Sequence, residues 1–248
     1  MSPSGSRSLS ASRSSPTSGG PGTPERRQGF VIRRRRDQEP RSSHPRPVRV
    51  RGELADHLHL PKDGTRVEVA GGEIVVSPGP TLEHNLIVGA IQNRLTEARV
   101  VNPEFPRRRV QTTDLNLVRI SDGYVPDLLV ITNDVAAEVR QSRARHLLPD
   151  QVGLVAEVTS RSNASNDREP GHLRPVSTKW SGYASTGIAH YLLIERDPRA
   201  PQSVLYTEPD PETGRYQTMT AWKFGETIQL PEPFGAEIPT DEWEPWEI

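Results

Sequence analysis

The chain has 248 residues, no cysteine and a formal net charge of −1. Without cysteine, disulfides, thiolate zinc centres and cysteine nucleophiles are excluded, and any metal must be held by oxygen or imidazole. No apolar run approaches the ~18 residues that span a bilayer, and no apolar stretch follows the N-terminal arginines as a secretion signal requires, so a soluble, cytoplasmic protein is expected.

Charge is unevenly spread. Residues 1–50 carry eleven arginines against three acids and only eight apolar residues, which predicts a disordered Arg/Ser/Pro-rich arm. Such an arm can contact phosphates, although many basic arms are simply solvated. Residues 51–248 sum to −9, and −8 of this lies in residues 195–248. A folded domain over 51–235 and an acidic tail over 236–248 are expected.

In chain order, Arg66 to Val69 and Glu73 to Ser77 flank Gly71-Gly72, the pattern of a β-hairpin. Thr81 can cap a helix whose apolar stripe is read as Leu82, Leu86, Ile87, Ala90, Ile91 and Leu95, ending before Pro103. Arg109 to Ile120 reads as one strand, followed by the turn Ser121-Asp122-Gly123. Tyr124 to Ile131 reads as a strand buried on both faces, the connector 132–151 as holding a short helix, and Gly153 to Thr159 as a second buried strand. Residues 160–177 are polar and read as a long surface loop. A helix from Lys179 to Thr186, ended by Gly187, leads into the strand His190 to Glu195, with further strands between Ser203 and Leu230.

Two carboxylates stand out. Asp127 lies within YVPDLLVI and Glu157 within VGLVAEVTS, and an acid in an otherwise apolar strand is costly unless it is paired or binds a cation. A structural ion pair with a buried arginine is the alternative to a site. Glu83 reads as a surface acid favoured by the helix dipole or an outer-shell carboxylate, His84 as a packing or capping residue or a ligand, Asp114 as one of an exposed polar face or a site residue, and Trp180 and Tyr183 as core.

Pro126-Asp127, Glu157-Val158 and the series Lys179, Tyr183, Gly187, Tyr191, in that order, resemble the Uma-two group of restriction endonuclease-like proteins in the PD-(D/E)xK nuclease superfamily. The resemblance covers roughly residues 52–235. It implies an α/β fold, a restriction-endonuclease-like mixed sheet flanked by helices, here with an extra N-terminal hairpin and extra C-terminal strands. It also implies a Mg2+- or Mn2+-dependent endonuclease with DNA as substrate and a possible homodimer; the lack of a long apolar run adds the expectation of no membrane association. Asp127 and Glu157, with the carbonyl of Val158, would hold the metal, and Lys179 would orient or activate the attacking water. The superfamily's basic pattern places its lysine two residues after the glutamate, where this chain has Thr159, so the lysine is assigned to Lys179 on the following helix. Magnesium needs only one or two carboxylates, so this donor set suffices. The other readings are a non-catalytic nucleic-acid-binding protein using loop arginines such as Arg140, Arg143, Arg145, Arg161, Arg168 and Arg174, and a protein-interaction module using the acidic C-terminal third.

Overall fold

The computed structural model describes residues 30–32, 58–59, 64–101, 107–171 and 177–247. The expected N-terminal arm lies outside the described residues except for strand β1 (Phe30–Ile32), whose backbone pairs antiparallel with β3.

Strands β2 (Arg66–Ala70) and β3 (Glu73–Ser77) form the expected hairpin. Gly71 and Gly72 both have positive φ, 60° and 76°, which the two-residue turn requires and which other residues adopt only with strain. Their amides donate to the carboxylate of Asp122, at 2.8 and 3.1 Å. Helix α1 (Leu82–Val101) follows, with Thr81 Oγ1 accepting from the His84 amide. Its buried residues are His84, Ile87, Val88, Ile91 and Leu95, while Leu82 and Leu86 are exposed. The buried face is therefore rotated from the expected stripe, because His84 rather than Leu82 or Leu86 turns inward.

The stretch expected as one strand from Arg109 is split between two sheets. Strand β4 (Arg107–Val110) pairs with β7 (Leu128–Thr132), and β5 (Asp114–Leu117) pairs with β6 (Asp122–Tyr124). Thr112, with φ of 49°, breaks the extended run between them. Tyr124 to Ile131 is also divided between the two sheets: β6 ends at Tyr124, β7 begins at Leu128, and Asp127 sits just ahead of β7 rather than inside a strand. Helix α2 (Asn133–Ser142), capped by Thr132, is the helix expected in the connector, and the short β8 (His146–Leu147) pairs with β5.

Strand β9 (Val152–Val158) runs antiparallel to β7 and parallel to β10 (His190–Glu195). Between β9 and β10, Ala164–Asp167 forms a helical turn, α3, and Lys179–Ser185 forms α4. Residues 160–177 are thus not merely a surface loop, since α3 folds inward and Asp167 is buried; Tyr191 holds it there by donating its hydroxyl to the Asp167 carbonyl at 2.8 Å. Arg174, and any contact it makes, lies outside the described residues. Strands β11 (Gln202–Asp210) and β12 (Arg215–Lys223) extend the edge, and β13 (Ile228–Gln229) pairs with β14 (Glu237–Ile238).

The result is an α/β fold around a six-stranded mixed sheet in the order β12-β11-β10-β9-β7-β4, with a second six-stranded sheet ordered β1-β3-β2-β6-β5-β8. The strand pleat divides the core cleanly. Leu128, Val130, Leu154, Ala156 and Val158 face α1, whereas Leu129, Ile131, Val155 and Leu193 face α4 and the hairpin sheet. Burial on both faces explains why β7 and β9 read as unbroken apolar runs. Among the described residues no helix is long and apolar enough to cross a membrane.

Candidate active site

Asp127 and Glu157 meet at the ends of neighbouring antiparallel strands. The register pairs Leu128 with Ala156, which sets Asp127 beside Glu157 one step further along. Their backbones clip them together: the Val158 amide donates to Asp127 Oδ2 at 2.9 Å, and the Asp127 amide donates to Glu157 Oε2 at 3.3 Å. Val158, expected to offer its carbonyl, lines the same cleft, and its amide is what contacts Asp127.

Lys179 opens α4, where Thr178 and Ser181 form a reciprocal capping box. Although 22 residues separate it from Glu157, its Nζ lies 3.1 Å from Glu157 Oε1. It also lies 2.9 Å from Glu68 Oε1 and 3.5 Å from Asp167 Oδ1. The structure therefore brings Asp127, Glu157 and Lys179 together and adds Glu68 and Asp167 to them. Glu157 Oε1 further accepts from the Tyr183 hydroxyl at 2.6 Å, so a residue read as plain core touches the site. Asp127 Oδ1 faces Arg66 Nη1 at 2.5 Å and His84 Nε2 at 3.0 Å. Asp114 is not among the residues lining the cleft, and Glu83 sits on its rim.

Glu68 and Arg66 were not legible as site residues because RVEVA, with charges at every second position, is the pattern of a half-solvated strand. Here the hairpin sheet turns that face inward, and the Val125 amide donates to Glu68 Oε1 at 2.7 Å. Asp167 was hidden within a polar stretch that carries no periodicity.

The electrostatics follow from a count. Four buried carboxyls, Glu68, Asp127, Glu157 and Asp167, face two permanent cations, Lys179 and Arg66. Burial raises the Asp127 carboxyl, but His84, Arg66 and the Val158 amide outweigh it and hold the group well below the usual range. Glu157 goes the other way: burial pushes it well above the usual range despite Lys179, with Asp127, Asp167 and Glu68 adding repulsion. Burial likewise pushes Asp167 to about 7 despite Lys179. Lys179 would be lowered by burial, yet Glu157, Glu68, Asp167 and Asp127 together raise it well above an ordinary lysine. Leaving aside the imidazole of His84, the centre holds two more carboxyls than permanent cations, and that repulsion adds to burial in raising Glu157 and Asp167.

The cleft, about 1120 Å³, is lined by these residues, by Ser77–Thr81 before α1, and by Ser160–Asn163. Among the described residues no three His, Asp or Glu side chains are already gathered as a ligand set. All-oxygen donors with a surplus of two negative charges nevertheless fit a hard divalent cation in charge and chemistry.

The Uma2 family, described as "Putative restriction endonuclease", matches over residues 54–241. The chain belongs to this family. Among solved structures, the Uma2 chain is similar to a "putative nuclease belonging to DUF820" from Anabaena variabilis ATCC 29413, at 16% identity over 77% of this chain and 96% of that one, with a TM-score of 0.49. No curated protein matches the chain.

Proposed function

We propose that this Uma2 protein is a Mg2+- or Mn2+-dependent endonuclease that hydrolyses phosphodiester bonds in DNA. The observation that carries the reading is the buried set of Asp127, Glu157 and Lys179 opening onto a cleft, with charge lacking for one divalent ion.

Asp127 and Glu157, with the Val158 carbonyl, would hold that ion. When bound, the ion would supply Lewis-acid stabilisation of phosphoryl oxygens and a lower pKa for water. The chain's own groups do the rest. Asp127 is kept ionised by His84, Arg66 and the Val158 amide, so it presents charge at neutral pH. Tyr183 and Lys179 fix one oxygen of Glu157 and leave its orientation no freedom. Lys179 Nζ, held protonated against its burial by Glu157, Glu68, Asp167 and Asp127, places a compact positive charge where negative charge would grow during phosphoryl transfer.

The test is cleavage of plasmid and of labelled oligonucleotides by the purified chain with Mg2+ or Mn2+, against EDTA. Asp127→Asn, Glu157→Gln and Lys179→Met are each expected to lower the rate at least about a hundredfold. Retention of full activity in all three overturns the assignment. A wild type that binds DNA with a steep salt dependence yet never cleaves is the outcome expected of a non-catalytic binding protein.

A further inference from the structure

The acidic C-terminal segment does not trail into solvent. Glu244, Pro245, Trp246 and Glu247 line the same cleft as Asp127, Glu157 and Lys179. Trp243, buried beside Phe224, anchors the segment, and three hydrogen bonds then lay it along the rim. The Trp246 amide donates to the Arg196 carbonyl at 3.0 Å, Arg196 Nε donates to the Glu244 carbonyl at 2.9 Å, and Arg161 Nη1 donates to the Glu247 carbonyl at 3.4 Å.

The two arginines differ from the others near them. Arg66, Arg168 and Arg199 each contact a carboxylate. Arg161 and Arg196, among the described residues, contact backbone carbonyls of the segment and no carboxylate within salt-bridge distance. A carbonyl offers only a partial charge, so a guanidinium so satisfied still favours a full anion, above all one with the forked geometry of a phosphodiester. Both arginines lie in the cleft wall with the three proposed catalytic residues. Residues 241–247 carry four acids and no base, which opposes a polyanion approaching over them.

We propose that Arg161 and Arg196 form a subsite for the nucleic-acid backbone, and that the segment 244–247 is an acidic strap covering it, which the substrate must displace. The proposal rests on the nuclease reading for the identity of the substrate, but it concerns binding and is read without cleavage. The strap's hydrogen bonds to the two arginines run through main-chain carbonyls, and the Glu244 carboxylate, with Glu83 of α1, adds charge attraction to Arg196.

The experiment measures fluorescence anisotropy of a labelled duplex oligonucleotide in EDTA, where no cleavage occurs. The full chain is compared with a chain stopped after Trp243 and with full-length Glu244→Gln/Glu247→Gln, which keeps the three hydrogen bonds and removes the strap's charge. The truncated chain is expected to bind about tenfold more tightly, equivalent to about 1.4 kcal/mol, and the double variant to fall between. A peptide spanning residues 240–248, added to the truncated chain, should restore weak binding. Adding Arg161→Gln to the truncated chain should reduce the slope of log K against log salt by about one. Equal affinity of all three proteins, or absence of binding in all three, overturns the strap; should truncation prevent folding, the double variant alone decides it by the same criterion. Tighter binding on truncation without any Mg2+-dependent cleavage leaves the strap standing and removes the nuclease reading. Cleavage by the full chain with affinity indifferent to the strap does the reverse.

Discussion

Lys179 lies within salt-bridge distance of Glu68, Glu157 and Asp167 together, so its removal affects stability as well as chemistry. Leaving buried carboxylates without their partner costs about 3 kcal/mol, and Lys179→Met is expected to lose that much in urea unfolding at pH 8 and less at pH 5, where the acids can take protons instead. The pH dependence of the native chain has two arms of opposite sign. Asp167, raised to about 7 when folded, binds its proton more tightly in the native state; stability should therefore fall as pH rises from about 4 to about 7. Asp127 is depressed, so its contribution is present above its unfolded value and is lost as pH falls below that. Asp167→Asn should reduce the upper arm, to which the raised Glu157 also contributes, and leave the lower one, as measured by denaturant melts across pH 3–8. These residues also mark what a one-dimensional reading can reach. Asp127 and Glu157 are visible because a charge interrupting VPDLLVI or LVAEV calls for a partner or a cation, and Lys179 is reached only through the family pattern. Glu68 and Arg66 sit on alternate positions of a hairpin, and only the docking of that hairpin decides which of its faces is buried.

At the scale of elements, α1 shows how one polar residue sets helix rotation. The apolar positions around 82–95 were legible as a helix, but His84 turns toward Asp127 and leaves Leu82 and Leu86 in solvent. Leu86→Gln should therefore change stability by less than about 0.5 kcal/mol, whereas Ile91→Ala, at the buried face, should cost about 2–4 kcal/mol in the same thermal or urea unfolding measurement. Helix α4 meets β6 at Gly182, where an added Cβ would lie 2.2 Å from the Tyr124 hydroxyl. That hydroxyl donates to Asp122, the same carboxylate that holds the Gly71-Gly72 turn. Gly182→Ala is thus expected to cost about 1–3 kcal/mol by displacing Tyr124 and loosening the hairpin at a distance. The split of 107–124 between two sheets was not legible, since both halves have strand composition and only Thr112, in a left-handed conformation, separates them.

For the molecule as a whole, the two-charge deficit predicts a stabilising cation. Mg2+ or Mn2+ at about a hundred times its dissociation constant should add about 2.7 kcal/mol, seen as a rise in Tm that is larger at pH 8 than at pH 5 and absent in Asp127→Asn/Glu157→Gln. The hairpin sheet has a further consequence through the order of folding. The centre joins Arg66 and Glu68 to Asp127, Glu157 and Lys179, residues separated by up to 113 positions, and such non-local contacts form late because loop closure must precede them. The strands β7, β9 and β10 can pair before β2 arrives, but until then Asp127 lacks its guanidinium and Lys179 one of its three acids. A partly folded chain is therefore a chain without an assembled centre, and whatever this centre does waits on the docking of the hairpin.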